Sequence, residues 1–291
     1  MKVISSIGRL QQVIKQIKKK NLSIGFVPTM GALHNGHGSL INASCKENDI
    51  TVVSIFVNPL QFGPKEDLKQ YPRPFKSDLA FCRKLGVDIL FHPSAEQMYP
   101  ESFSTSVEVK GLSDVLEGKF RPGHFRGVAT VVAKLFCMIM PDKAYFGQKD
   151  AQQAIIIERM TKDLAMPIKI KVLPIIREPD GLAMSSRNIY LSKSQRQNSV
   201  VLYKALTLAR QLINSGQRDA VKVISRMKQL IKTVDEAKID YITVVEPYSL
   251  KPVSKITNGC LICLAVRFGS TRLIDNIVVG DSWKLTERFK K

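Results

Sequence analysis

The chain has 291 residues, 44% apolar and 24% charged, which suits one large or two modest domains with proper cores and excludes wholesale disorder. No apolar run reaches the roughly 18 to 20 residues of a membrane span, and charge interrupts the N-terminal stretch where a secretory signal would be apolar; a cytoplasmic location is expected. The formal net charge of +19 is spread over both halves without a dominant basic block, so it favours anionic ligands without choosing among nucleotides, carboxylates and nucleic acid.

In chain order, Ile7, Leu10, Ile14 and Ile17 form an apolar helical stripe that closes on Lys18-Lys19-Lys20, cations that complement a helix C-terminus. Leu22 to Val27 reads as a short buried strand and His37 to Lys46 as a helix, with Asn35 as its N-cap. The alternation continues with a strand at Ile50 to Val57, a helix at Ser77 to Leu85, a strand at Asp88 to Phe91, a helix at Val128 to Met140, a strand at Ala144 to Phe146 and a helix at Asp150 to Leu164. This rhythm predicts an α/β fold with a doubly wound parallel sheet. Past about Ile175 it changes to the turn Glu178-Pro179-Asp180-Gly181, helices at Ser194 to Ser215 and Asp219 to Val234, and strands at Asp240 to Val245, Cys260 to Phe268 and Leu273 to Val279. The expectation is a catalytic domain over residues 1–176 and a smaller α+β lid domain over residues 177–291. Five cysteines in apolar surroundings suit buried reduced thiols, and Cys260-x-x-Cys263 lies inside a strand, where neither a zinc site nor a redox motif is expected.

The most informative stretch is Met30-Gly31-Ala32-Leu33-His34-Asn35-Gly36-His37, between the first sheet strand and its helix. Ligands bind at this end of an open α/β sheet, and a helix N-terminus there offers free N–H groups and the positive end of its dipole. Two imidazoles three residues apart can face one phosphate chain, donating hydrogen bonds while neutral or holding charge as negative charge develops. Gly36 is expected to let the backbone approach a ligand. A second element, Met184-Ser185-Ser186-Arg187, combines two hydroxyls with a guanidinium suited to bidentate phosphate contact. A third, Gly147-Gln148-Lys149-Asp150, places a point charge at another strand end, with Gln153 just inside the following helix. Asn58 and Gln61, after the second strand, are neutral amides suited to reading hydroxyls and carbonyls.

These blocks, together with Tyr71 to Arg73, Arg121 to Gly127 and Arg177 to Asn188, occur in one order along nearly the whole chain. In this the chain resembles the pantothenate synthetases (pantoate-β-alanine ligases), of the His-x-Gly-His nucleotidyltransferase superfamily that includes class I aminoacyl-tRNA synthetases. The resemblance implies a two-step ligation. Pantoate carboxylate attacks the α-phosphate of ATP to give pantoyl adenylate and pyrophosphate, and β-alanine then attacks the activated carbonyl to give pantothenate and AMP. It implies an ATP site of Met30 to His37, Gly147 to Asp150, Ile176 and Met184 to Arg187. Within that site His34, His37, Lys149 and Arg187 act on the phosphates, and His37 is the usual proton donor. Gln61 and Gln153 would bind pantoate, Gln61 would also line the β-alanine site, and Mg²⁺ would accompany ATP. Family members commonly follow Tyr-Pro-Arg with Thr and several acidic residues; here Pro74 follows, then Ser77-Asp78 with one carboxylate, so no protein metal ligand is assigned. The resemblance also implies a homodimer. Another adenylyltransferase of the same superfamily is the alternative enzyme, and a nucleic-acid binder is the alternative from charge alone, for which only weak, nonspecific binding is expected.

Overall fold

The computed structural model describes residues 1–64, 66–257 and 259–280. The strands are β1 (Lys2–Ile4), β2 (Ile24–Thr29), β3 (Ile50–Ile55), β4 (Ile89–Phe91), β5 (Lys143–Gly147), β6 (Lys169–Leu173), β7 (Ala237–Val245), β8 (Cys260–Phe268) and β9 (Thr271–Val279). The helices are α1 (Ile7–Lys19), α2 (Asn35–Glu47), α3 (Phe75–Lys84), the single turns α4 (Ala95–Met98) and α5 (Glu117–Phe120), then α6 (His124–Ile139), α7 (Ala151–Asp163), α8 (Lys193–Asn198), α9 (Val201–Asn214) and α10 (Ala220–Ile231).

Strands β1 to β6 form one parallel sheet in the order β1-β4-β3-β2-β5-β6. Its inner strands are almost continuously apolar because both faces are covered. Leu10 and Ile14 of α1, Val128 to Ile139 of α6 and Ala154, Ile157 and Met160 of α7 pack on one side. Leu40 and Ile41 of α2 and Cys82 of α3 pack on the other, against Val27, Val53, Leu90 and Tyr145. From β2 the chain runs outward one way through β3 and β4 and the other way through β5, so the strand order reverses between β2 and β5. In open α/β sheets the crevice beyond the carboxyl ends of such strands is where ligands bind, and the turns Met30 to His37 and Gln148 to Asp150 start there.

The chain divides into two compact units: Met1–Gly147 with Gln152–Leu173, and Gln148–Ala151 with the chain from Pro174 onward. In the second, β7, β8 and β9 form an antiparallel sheet whose Ile262, Leu264 and Val266 pack with Leu202, Leu206 and Ala209 of α9 and Val223 and Met227 of α10. Cys260 and Cys263, neither of them in a disulfide, lie three residues apart on β8, hence on opposite faces of the strand. Cys137 departs from the expectation of buried thiols: it is exposed on α6. No helix among the described residues is long and apolar enough to cross a membrane.

Candidate active site

The helix after β2 starts at Asn35, two residues before His37, and its N-cap lies one residue before Asn35. His34, in extended conformation, is the N-cap of α2, and Asn35 is its first helical residue. The ring of His34 folds over the helix start, and its Nδ1 accepts the Gly36 N–H at 3.1 Å. Reciprocally, His37 Nδ1 accepts the His34 N–H at 3.3 Å, so the two imidazoles build a capping box with ring centroids 4.2 Å apart. Gly36 makes room for this arrangement: a Cβ there would lie 2.8 Å from His34 Cε1. With each Nδ1 accepting, the neutral tautomer of both rings carries its proton on Nε2, so the N–H donor of each ring lies on its other edge.

The turn before this helix is held from a distance. Asp78 on α3, 2% exposed, accepts the Ala32 N–H through Oδ2 at 2.9 Å and the Leu33 N–H through Oδ1 at 2.8 Å. Both bonds favour the charged carboxylate, but burial is the larger effect and moves its pKa upward. Ala32 sits at φ +50°, a conformation that a non-glycine residue keeps only when its surroundings impose it. The one carboxylate after Tyr71-Pro72-Arg73 therefore shapes the loop, with each of its oxygens accepting one backbone N–H. No group of three or more His, Cys, Asp or Glu side chains among the described residues is arranged to hold a metal.

Gln61 ends a short 3-10 turn, Pro59–Gln61, and its amide nitrogen donates to Met30 Sδ at 3.0 Å, which joins it to the β2 turn. Asn58 behaves differently from the sequence reading. It is 1% exposed, its Nδ2 donates to Gln61 Oε1 and the Gly127 carbonyl, and its Oδ1 accepts from Leu60 N and the Tyr99 hydroxyl. With its capacity used by the protein, Asn58 orients Gln61 rather than reading a ligand. Gly127 is needed for this packing, because a Cβ would come within 2.3 Å of the Leu60 carbonyl oxygen. On α7, Gln152 is spent on Glu117 N, Leu112 O and Val115 O. The side chain of the half-buried Gln153, on the same helix, makes no hydrogen bond to another described residue.

A buried relay behind Gln61 was not anticipated. His124 Nδ1 donates to the Gln61 carbonyl at 2.8 Å, its Nε2 accepts from Arg121 at 3.0 Å, and Arg121 Nε donates to Glu66 Oε1 at 2.8 Å. Burial, reinforced by the Arg121 charge, pushes the His124 imidazole down to about 4 from the usual 6.5. The unfolded chain therefore takes up a proton that the native state refuses between those values. Stability contributed by this group is complete above pH 6.5 and is lost as pH falls through the window, by up to about 3 kcal/mol. Urea unfolding of wild type between pH 7.5 and 4.5 is expected to show this loss. His124→Asn should unfold more easily at neutral pH and show a shallower decline; an unchanged decline would assign it to other groups.

In the second unit, Lys149 lies in the 3-10 turn Gln148–Asp150, 3.5 Å from Asp150 Oδ1. The sequence reading put Lys149 within the domain of residues 1–176; by its contacts this turn groups with the C-terminal unit. Asn276 on β9 donates through Nδ2 to the carbonyls of Gln148 and Lys149 at 2.9 and 3.0 Å, and Gln148 Nε2 donates back to Asn276 Oδ1 at 3.2 Å. Ile176 and Met184 face each other across a hairpin: Met184 N donates to Ile176 O at 3.0 Å, and Arg177 bridges Ala183 in antiparallel fashion. The next residue, Ser185, caps the 3-10 turn Ser186–Tyr190 by accepting the Arg187 N–H at 3.3 Å. Arg177 forms a bidentate pair with the buried Asp275 at 2.6 and 3.0 Å, also donates to Gly181 O, and lies over the Tyr203 ring at 4.4 Å. Burial pushes the Asp275 carboxyl up, while Arg177, the Asn276 N–H and Lys149 pull it back.

A doubly wound sheet with a paired-imidazole helix cap at its switch point defines a nucleotide-binding α/β protein. A family model described as pantoate-beta-alanine ligase matches residues 2–278. Among similar proteins, the pantothenate synthetase of Caldicellulosiruptor bescii is 52% identical over 279 residues, covering 96% of this chain and 99% of that one. That of Thermotoga petrophila is 50% identical over 280 residues, 96% of this chain and 100% of the other. The crystal structure of pantothenate synthetase from Thermus thermophilus matches with TM-score 0.92 at 43% identity, covering 97% of this chain and 100% of that one. A pantoate-beta-alanine ligase from Francisella tularensis, complexed with beta-gamma ATP and beta-alanine, matches with TM-score 0.79 at 37% identity, 96% of this chain and 97% of the other. The chain belongs to the pantoate-β-alanine ligase family.

Proposed function

We propose that this protein joins (R)-pantoate to β-alanine at the expense of ATP, through a pantoyl adenylate, releasing pyrophosphate and AMP. The observation that carries the reading is the His34 and His37 cap, which sets two Nε2–H donors at a helix N-terminus beyond a sheet switch point; the Francisella relative's complex with beta-gamma ATP and beta-alanine supports it. ATP is assigned to Met30, Gly31, Ala32, Leu33, His34, Asn35, Gly36 and His37, to Gly147, Gln148, Lys149 and Asp150, to Ile176, and to Met184, Ser185, Ser186 and Arg187. Gln61 and Gln153 take the pantoate hydroxyls and carboxylate, and Gln61 also contacts β-alanine.

A pantoate carboxylate oxygen attacks the α-phosphorus as the bond to pyrophosphate breaks, and negative charge accumulates on the phosphate oxygens. His34 and His37 meet that charge with preorganised N–H donors, His37 also as proton donor, and Lys149 and Arg187 meet it with full charges. The β-alanine amine then attacks the acyl carbon, and AMP leaves. Mg²⁺ would enter with ATP, held mainly by phosphate oxygens and water, since the one carboxylate after Tyr71-Pro72-Arg73 already accepts two loop N–H groups. A cytoplasmic homodimer without specific nucleic-acid or membrane partners completes the reading. Another adenylyltransferase activity is the alternative. The deciding experiment measures AMP formation with ATP, pantoate and β-alanine, omitting each in turn: all three should be required, and AMP release with a different acid in place of pantoate would favour the alternative.

The residue 177–291 segment is proposed to act as a lid domain on the nucleotide, with residues 1–176 as the catalytic domain. Excluding water matters here because hydrolysis of an acyl adenylate competes with β-alanine. Saturating ATP is expected to slow hydrogen exchange from about Ile176 to Leu191, and Arg187→Ala to remove most of that protection. Bound ATP with unchanged exchange in this segment would leave Arg187 as a fixed contact and reject the lid.

A further inference from the structure

We infer that Asp275 and Asn276, adjacent on β9, are positioning residues that set the phosphate-binding Lys149 turn and the hairpin leading to Ser185 and Arg187 in one register. The inference rests on the proposed function, since it concerns how two of its assigned ATP contacts are held.

The geometry is specific to these two side chains. Asn276 is 3% exposed, and its amide nitrogen spends both hydrogens on consecutive carbonyls of the Lys149 turn, while its oxygen accepts from Gln148. A carboxamide is the smallest side chain that donates twice and accepts once from one planar group, so Asp, Ser or Ala cannot reproduce the set. A 3-10 turn has poorer internal hydrogen bonds than an α-helix, and this one depends on the strand beside it to fix the Lys149 backbone. Asp275 is also 3% exposed and takes the whole fork of Arg177, whose second contacts are the carbonyls of Gly181 and Asn276. Arg177 follows Ile176 in the outgoing arm of the hairpin that turns at Gly181 and returns through Ala183 to Met184. One dipeptide of β9 thus anchors both cationic elements, and neither Asp275 nor Asn276 is assigned to a ligand. Fixed registry is the use to which buried polar pairs are best suited, since their net contribution to stability is small.

The test is a double-mutant cycle between Asn276→Ala and Lys149→Ala, read as kcat/KM for ATP in the complete reaction, with thermal unfolding of each variant and the KM for β-alanine alongside. If Asn276 acts through Lys149, each single variant lowers kcat/KM for ATP by about tenfold or more, and the double variant is no worse than Lys149→Ala, because interacting positions are not additive. The KM for β-alanine should stay near wild type. Additive losses, or an Asn276→Ala enzyme whose only change is a lower unfolding temperature, would overturn the inference and leave a structural amide. If Asn276→Ala does not fold, Asn276→Ser, which keeps one donor, takes its place with the same expectations. A wild-type enzyme that forms AMP but is indifferent to Lys149→Ala would overturn the inference while leaving the ligase reading intact; a wild type that forms no AMP from ATP, pantoate and β-alanine would overturn both.

Discussion

Replacing His37 by Ala should lower the rate of adenylate formation by about a hundredfold or more, the scale on which losing one preorganised donor acts, and His34→Ala should do the same. The expectation follows from the capping box. Each Nδ1 is occupied by a backbone N–H at 3.1 to 3.3 Å, so each ring is fixed in orientation and its neutral tautomer presents Nε2–H on the other edge. Removing either ring deletes one donor and also leaves a helix-start N–H uncapped, at a cost of about 1 kcal/mol in stability. Single-turnover measurement of pyrophosphate release separates the two effects, because a mere loss of stability would leave the chemical step of the folded enzyme unchanged. A folded His37→Ala protein with near-normal release would remove that residue from the mechanism.

Asp78→Ala should be the most damaging change outside the imidazoles. It orphans the Ala32 and Leu33 N–H groups together and opens a void at a position only 2% exposed. Buried donors left unpaired cost about 1 to 3 kcal/mol each; these two are only partly buried, so a loss of roughly 2 to 4 kcal/mol in unfolding free energy is expected. Activity should fall further than stability, because Ala32 holds a left-handed φ only under this clamp and the residues that follow are His34 to His37. Asp78→Asn keeps one acceptor and should fall between wild type and Asp78→Ala in both respects. Denaturant midpoints with adenylation rates on the same preparations decide the matter; an Asp78→Ala enzyme of wild-type stability would show that the loop holds itself.

The alternation of strand and helix is plain in the sequence because a parallel sheet buried on both faces needs unbroken apolar strands, and Ile50 to Ile55 or Ile89 to Phe91 can hardly be read otherwise. The edge strands β1 and β6 escape that logic. Lys2–Ile4 has three residues, two of them exposed, and Lys169–Leu173 alternates lysine with apolar residues, so neither carries the buried-strand signature. The segment from Ser194 to Ser215 reads as one helix, yet α8 and α9 are separate, because the Ser192 and Gln195 capping box starts a short helix that ends at Asn198. The site divides the same way. Residues that act through local geometry, such as His34 and His37 around Gly36, are legible from spacing, although preference for Asn as a cap hides that a histidine does the capping. Residues that act at long range leave no spacing to read: Asp78 reaches Ala32 and Leu33 from α3, His124 reaches Gln61, and Asn276 reaches Lys149. Of these only Asp78 and the Arg121 to Gly127 block stand out in the sequence, and their partners do not.

Isotope exchange between ATP and labelled pyrophosphate tests the proposed chemistry most directly, because the proposed reading requires an acyl adenylate formed before β-alanine takes part. With pantoate present and β-alanine absent, label should enter ATP at a rate compatible with turnover, and omission of pantoate should stop it. A preparation that makes pantothenate from all three substrates yet shows no exchange without β-alanine would contradict that order of events.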